Sequence, residues 1–242
     1  MYNLFYQNPD ISILKNINPE DKLLLCCVRS HIDSEINKHI KELINNNLDW
    51  EYLLQKALQH KIKPLLYWNL KEIHFEKVPD DIIDNLKNYF RANSKRNIFL
   101  TIKLLKLLNL FKENGITAIP YKGPVQSSLA YSDIFLRQFD DLDILFYKED
   151  ISKAKDLLVL KGYRPEPELT KNQEIALFKY LLEHAFIHDE DKITVGVHWR
   201  IAPEYFTIPI DYEYLWENRK PISILDQKVL TFSPEDSLLI PD

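Results

Sequence analysis

Glycine is scarce in this sequence, with 4 residues among 242. Loops that cradle a dinucleotide need several closely spaced glycines, because the backbone must approach the pyrophosphate without side chains in the way. This composition argues against a glycine-rich dinucleotide site. It also directs attention to the few positions where glycine is kept.

Cysteine is almost as rare, since the adjacent pair Cys26 and Cys27 is the whole complement. Neighbouring cysteines rarely bridge each other, and two cysteines cannot frame a disulfide-stabilised fold. Both lie in an apolar run that is typical of a helix, where cysteine packs as a small hydrophobic side chain. The sequence therefore predicts a protein of the reducing cytoplasm.

Long apolar runs and an excess of positive charge are also lacking. No run reaches the roughly 18 to 20 residues that a transmembrane helix needs, so we expect no membrane partner. The 31 basic residues are outnumbered by 36 acidic residues, for a net charge of −5. This balance argues against bulk binding to nucleic acid and leaves room only for a local basic groove.

Residues 1–114 predict a helical region. Asp49 is a suitable N-cap for one helix, and Pro64 separates that helix from the next because proline disfavours helical backbone at the residue before it. Residues 79–80 begin a further helix. A long helix with apolar residues at helical spacing follows and ends at the C-cap signal of residues 114–115.

Residues 115–242 predict a second region in which strands and helices alternate. Short apolar runs with β-branched residues, bounded by turn residues, are typical of strands. The predicted elements are strands at 116–121 and 142–146, helices at 125–131, 150–160 and 171–182, and hairpins at 185–199 and 223–232. The fold class that follows is α+β, with the domains 1–114 and 115–242.

The end of the chain combines a strong helix start with very few helical residues. Ser233 is an N-cap and Pro234 occupies the first helical position, but only residues 237–240 follow before Pro241. A single apolar turn is too short to be stable by itself. We therefore expect a chain truncated at its C-terminus, with a packed short helix as the alternative.

The densest group of candidate catalytic residues is Asp141-Leu142-Asp143, at the start of a predicted strand. Because side chains alternate along a strand, both carboxylates point to the same face. Two neighbouring carboxylates repel each other unless a cation compensates them. Mg²⁺ takes such oxygen ligands together with phosphates and water, so Asp141 and Asp143 are candidate metal ligands. The alternative is that both are loop residues that only precede the strand.

Lys122 and Gly123 lie between a predicted strand and a predicted helix. The N-terminus of a helix attracts anions, and glycine allows a phosphate to approach the backbone closely. A lysine at this point adds a positive charge suited to phosphate. Lys122 and Gly123 are therefore candidate phosphate-binding residues, with a solvated loop lysine as the alternative.

Arg137 and His198 are candidates with two open interpretations each. Arg137 can hold a triphosphate with its planar guanidinium, or form an ion pair with Asp133 or Asp140. His198 lies on a strand with apolar neighbours, where it is either a general base or nucleotide contact, or a hydrogen-bonded histidine of the core.

Taken together, the order of these motifs resembles an uncharacterised bacterial nucleotidyltransferase family within the nucleotidyltransferase-like superfamily. The resemblance covers about residues 20–240. It is carried by the N-terminal pattern from Asp49-Trp50 to Pro64-Leu65-Leu66, by Tyr121-Lys122-Gly123, Leu129, Tyr131, Arg137 and Asp141-Leu142-Asp143-Ile144-Leu145, and by Leu158, Gly162-Tyr163 and His198-Trp199.

The resemblance implies a mixed β-sheet flanked by helices behind the helical region. It also implies transfer of a nucleoside monophosphate from an NTP with Mg²⁺ or Mn²⁺. Asp141 and Asp143 would then be the catalytic metal ligands, and Lys122, Gly123 and Arg137 would bind the nucleotide. It leaves the acceptor open among small molecules, proteins and RNA.

One position departs from the family pattern. The third carboxylate of such enzymes tends to stand two residues before the His-Trp pair, and this chain has Gly196 there. Asp189, Glu190 and Asp191 in the preceding turn are possible substitutes. The departure predicts a slow or inactive enzyme and keeps open a degenerate relative that binds nucleotide or a partner protein without turnover. A glycosyltransferase, which can also use Asp-x-Asp, is a weaker alternative.

Overall fold

The computed structural model describes residues 17–73, 77–203 and 210–240. The chain divides into two compact units, Met1–Asn93 and Ser94–Asp242. Within the described residues, no helix is long and apolar enough to cross a membrane.

The first unit is helical, as the sequence predicts. Its helices are α1 (Pro19–Cys27), α2 (Ser34–Ile44), α3 (Trp50–Gln59), α4 (Lys63–Glu72) and the beginning of α5 (Asp80–Glu113). The side chains of Asn18, Asp33 and Asp49 each accept a hydrogen bond from a backbone N–H in the first turn of the helix that follows. These caps explain why α1, α2 and α3 begin where they do.

The helix α5 is longer than predicted. The sequence suggested one helix from residue 80 and a second one ending at 114, but the structure has a single helix over Asp80–Glu113. Neither glycine nor proline occurs between these residues, so nothing in the local sequence interrupts the backbone hydrogen bonds. The two compact units divide within this helix.

The second unit contains a five-stranded mixed sheet, which agrees with the predicted fold class. Its strands are β1 (Ala118–Pro120), β2 (Asp141–Phe146), β3 (Arg164–Glu166), β4 (Glu183–His188) and β5 (Ile193–His198). They are ordered β1-β2-β5-β4-β3. The pair β2 and β5 is parallel, whereas the other three pairs are antiparallel.

Helices and a separate hairpin accompany this sheet. The remaining elements are α6 (Pro124–Tyr131), α7 (Ile151–Leu160), α8 (Lys171–Tyr180), α9 (Tyr212–Glu217), β6 (Lys220–Ile224), β7 (Gln227–Thr231) and α10 (Pro234–Ser237). The sequence indicated α6, α7 and α8 and both hairpins, with β4 beginning earlier than expected. It did not indicate α2, β3 or α9.

The two faces of β2 differ in character. Leu142, Ile144 and Phe146 are buried in the main apolar core of this unit, together with residues of β5 and α5. Asp141 and Asp143 alternate with them and therefore lie on the opposite face, as the period of a strand requires. One face of β2 thus packs into the main core, while the other face carries the two carboxylates and then Leu145, which is buried in a smaller apolar cluster.

Candidate functional site

The candidate site is built where β2 and β5 run side by side. In their parallel pairing, Asp141 lies opposite Thr194 and Asp143 lies opposite Gly196. Asp141 is exposed at the first position of β2, whereas Asp143 is 9% exposed. Gly196 therefore lies on the strand beside the one that carries the two aspartates.

The segment Tyr121–Gly123 runs directly beside the start of β2. The backbone N–H of Tyr121 donates to the carbonyl oxygen of Asp143 at 3.3 Å. Gly123 has a φ of +54°, and a Cβ at that position would lie 3.1 Å from the carbonyl oxygen of Asp141. The positive φ favours glycine here, and glycine also avoids a tight contact with this carbonyl oxygen.

This close contact places the start of α6 next to Asp141. Gly123 is the N-cap of α6, and no side chain caps the helix there. Lys122 is partly buried, and its Nζ lies 5.8 Å from the centre of the Tyr121 ring. The predicted arrangement of a lysine and a glycine between a strand and a helix is thus present, and it adjoins the two aspartates.

His198 is the centre of a buried polar cluster on the same face. Its Nε2 lies 2.9 Å from Oδ1 of Asp143 and 2.6 Å from Oε2 of Glu183. Its Nδ1 lies 2.9 Å from the hydroxyl of Tyr121. His198 is 6% exposed. It is therefore a hydrogen-bonded buried histidine, as one of the two interpretations holds, and it contacts a predicted metal ligand.

Opposing effects set the protonation of His198. Burial disfavours the charged imidazolium, but hydrogen bonds to Asp143 and Glu183, together with their negative charges, outweigh this effect and raise the pKa of His198. Burial also raises the pKa of Tyr121, and the charges of Asp143 and Glu183 act in the same direction. Tyr121 therefore stays protonated and available as a hydrogen-bond partner.

The cluster has the donor atoms of a metal site. One carboxylate oxygen each from Asp143 and Glu183 and one ring nitrogen of His198 all lie within 4.8 Å of one another. Carboxylates and imidazole are common ligands of divalent metals, so these residues fit such an ion chemically. Among the residues that the structure describes, this cluster does not include Asp141, which lies at the exposed end of the strand.

Two of the acids that could replace a carboxylate at position 196 are engaged elsewhere. Asp189 pairs with Arg164 at 2.7 Å, and Asp191 forms an ion pair with Lys103 of α5. Hydrogen bonds from these basic partners hold the pKa of both carboxyls below its usual range. The structure does not bring Asp189 or Asp191 to the cluster around His198.

Arg137 lies in the loop that leads into β2. Asn97, fully buried on α5, fixes this loop by donating from Nδ2 to the carbonyl oxygens of Ile134 (2.6 Å) and Arg137 (2.8 Å). The guanidinium of Arg137 also lies near Tyr131. Burial raises the pKa of Tyr131, and the positive charge of Arg137 acts in the opposite direction. Asn97 thus holds the backbone of Arg137 in the loop between α6 and β2.

Sequence reasoning missed Glu183 and Tyr121 as members of the site. Glu183 is the first residue of β4 and pairs with His198 across the antiparallel ladder. The predicted hairpin began at residue 185, so the alternation that places Glu183 on the face of the site was not recognised. Extending the strand by two residues toward the N-terminus would have shown it.

We predict that Tyr121→Phe lowers the stability of the protein. The substitution removes the hydroxyl that lies 2.9 Å from Nδ1 of His198 and leaves that buried nitrogen without this partner. An unsatisfied buried polar group costs about 1 to 3 kcal/mol, so the free energy of unfolding should fall by this amount. Urea denaturation followed by circular dichroism measures it. Equal midpoints for both proteins would contradict the assigned role of the hydroxyl.

Among curated proteins, no sequence matches the chain at a significant level. A solved structure that resembles it is that of the lincosamide antibiotic adenylyltransferase LnuA with lincomycin bound. The two share 18% sequence identity with a TM-score of 0.41, and the match covers 56% of this chain and 82% of that chain.

The family comparison extends over most of the sequence. Residues 46–240 match the family described as uncharacterised nucleotidyltransferases. This range includes Lys122-Gly123, Arg137, the Asp141–Asp143 pair and His198-Trp199, on which the resemblance rests. The chain therefore belongs to the uncharacterised nucleotidyltransferase family.

Proposed function

We propose that this protein is a metal-dependent nucleotidyltransferase that transfers a nucleoside monophosphate from an NTP to an acceptor hydroxyl. Family membership supports nucleotidyl transfer as the class of activity. The observation that carries the proposal is the packing of Gly123 against the carbonyl oxygen of Asp141. It joins an anion-attracting helix start to a strand that carries two carboxylates.

Asp141 and Asp143 would hold Mg²⁺ or Mn²⁺ in this proposal. When bound, the ion neutralises phosphate charge and polarises the phosphoryl oxygens. The acceptor oxygen attacks the α-phosphorus, the bond to the pyrophosphate oxygen breaks, and the proton of the acceptor passes to water. Small molecules, proteins and RNA all offer hydroxyls for this reaction.

Lys122, Gly123 and Arg137 would bind the triphosphate. Lys122 contributes a compact positive charge beside the start of α6, where backbone dipoles favour anions. Gly123 leaves the approach free of a side chain. Arg137 is suited to a bidentate contact with phosphate oxygens, and its loop is fixed by Asn97.

We expect Lys122→Ala to weaken NTP binding by about 1 to 3 kcal/mol, the cost of losing a charged hydrogen bond. This corresponds to a dissociation constant that is roughly 5- to 150-fold higher. Titration of a fluorescent ATP analogue in the presence of Mg²⁺ measures it. Lys148→Ala, at an exposed lysine after β2, is the matched control and should bind like the parent. Equal affinity of Lys122→Ala and the parent would refute the role.

The direct test of the reaction uses two labels on the same nucleotide. The protein is incubated with Mg²⁺, a cell extract as the source of acceptors, and ATP, CTP, GTP or UTP labelled at either the α- or the γ-phosphate. Nucleotidyl transfer moves the α-label to an acceptor and releases the γ-label in pyrophosphate. Movement of the γ-label to an acceptor would instead indicate phosphoryl transfer and overturn the proposal.

A second candidate function is a nucleotide- or partner-binding protein without turnover. It is favoured by Gly196, which occupies the position of the third carboxylate in the family pattern. The same experiment separates the two functions. Metal-dependent NTP binding without any transfer of the α-label would support the binding protein.

A further inference from the structure

The side chain of Glu183 lies on the same face of the sheet as the two aspartates. Residues paired across neighbouring strands share a face. Glu183 of β4 pairs with His198 of β5, and Gly196, two residues before His198, pairs with Asp143 of β2. Glu183 therefore reaches the site from the strand next to the one on which the family pattern places its third carboxylate.

The carboxylate of Glu183 occupies the space that a side chain at position 196 would fill. A Cβ added to Gly196 would lie 2.6 Å from Oε2 of Glu183, 2.7 Å from Nε2 of His198 and 2.8 Å from Oδ1 of Asp143. Real Cβ atoms do not approach other atoms this closely, so a side chain at 196 would require the ends of these three side chains to shift. Glycine at 196 leaves this space to the carboxylate of Glu183.

The two acids also differ in their exposure to solvent. Asp143 is buried, whereas the Glu183 side chain is 46% exposed at the end of its strand. Both carboxylates contact the same nitrogen of His198, which holds together two groups that would otherwise repel each other. Glu183 can therefore adjust toward a cation whose position Asp143 defines.

We propose that Glu183 is the third carboxylate ligand of the metal site and replaces the acid that Gly196 lacks. The inference rests on the proposed function, because it assigns a ligand to that same site. His198 acts in it as a positioning residue for Asp143 and Glu183. The chain is then a complete enzyme with a relocated ligand rather than one that has lost a ligand.

The test measures Mn²⁺ binding directly, by electron paramagnetic resonance of free Mn²⁺ during titration in the presence of a non-hydrolysable ATP analogue. Glu183→Gln keeps the size and hydrogen-bonding oxygen of the side chain but removes its charge. We expect its dissociation constant for Mn²⁺ to rise at least about 10-fold, since even outer partners of metal ligands contribute that much. Glu149→Gln, at an exposed glutamate after β2, should bind like the parent.

The charge of Glu183 makes a further prediction that a merely structural role does not. Glu183→Asp keeps a carboxylate at this position, and its Mn²⁺ affinity should exceed that of Glu183→Gln, which keeps only the size of the side chain. Equal Mn²⁺ affinities of these two variants, both folded by circular dichroism, would contradict the role of Glu183 as a ligand.

The two failures are distinguishable. If the parent binds Mn²⁺ and Asp143→Asn does not, but Glu183→Gln binds within about 2-fold of the parent, the assignment of Glu183 is wrong and the proposed function stands. If the parent itself binds no Mn²⁺ with the nucleotide analogue, the proposed function fails and the assignment of Glu183 fails with it.

Discussion

Replacing both Asp141 and Asp143 by asparagine should abolish metal-dependent NTP binding while the protein remains folded. Asparagine keeps the shape of the side chain and an oxygen that can accept the contact from His198. It removes the charge on which a divalent ion depends. The loss should exceed the roughly 10- to 100-fold effect that is typical of residues behind the metal ligands.

Isothermal titration of Mg²⁺ and NTP into the double variant measures this effect. The matched control is Asp156→Asn, at an exposed aspartate on α7 away from the strand. It should titrate like the parent. An unchanged Mg²⁺ titration in the double variant would show that these aspartates only begin the strand and would remove the basis of the proposed function.

Gly196→Ala should disrupt the site by steric displacement alone. Alanine in a strand is usually more favourable than glycine, by roughly 0.5 to 1 kcal/mol. Here its Cβ would lie within 2.8 Å of atoms of Glu183, His198 and Asp143, so these side chains must move apart. We expect Mn²⁺ affinity to fall at least about 10-fold, as for loss of a residue that positions metal ligands.

The control for this variant is Gly115→Ala. Gly115 follows α5 with a φ of +71°, and an added Cβ there has no atom within 4 Å. The control should lose stability through backbone strain but keep its Mn²⁺ affinity. If Gly196→Ala binds Mn²⁺ like the parent, the crowding of the three side chains above Gly196 is not important for the site.

Local signals sufficed for the parts of the fold that local chemistry controls. The N-cap Asp49, the proline at the start of α4 and the glycine after α5 act through neighbouring residues only. The alternation of Asp141, Leu142 and Asp143 is likewise a local property of a strand. The resemblance to the family implies that Lys122-Gly123 and that strand bind the same nucleotide.

The rest depends on contacts between distant residues. The predicted helix over 171–182 extends past the observed end of α8 at Tyr180, and Glu183 lies outside every predicted element. The carbonyl oxygen of Leu182 accepts hydrogen bonds from the backbone of Trp199 and Arg200, which draws this segment into the sheet. The pairing of Leu182 with Trp199 and Arg200 sets where β4 begins, and no local sequence pattern predicts it.

The sequence also does not show which basic residues pair with the acids in the turn. Asp189, Glu190 and Asp191 lie close to Gly196 along the chain and were reasonable substitutes for its carboxylate. Arg164 and Lys103, which pair with Asp189 and Asp191, come from distant parts of the chain. The packing of β3 and α5 against the turn shows that the charges of Asp189 and Asp191 are already compensated.

The most direct test of the account is a crystal structure of the protein with Mn²⁺ and an NTP analogue that cannot be cleaved between the α- and β-phosphates. The account predicts an anomalous peak bound by the carboxylates of Asp141 and Asp143, with the triphosphate against Lys122 and the start of α6. A peak or a triphosphate bound elsewhere on the protein, with these carboxylates uninvolved, would contradict it.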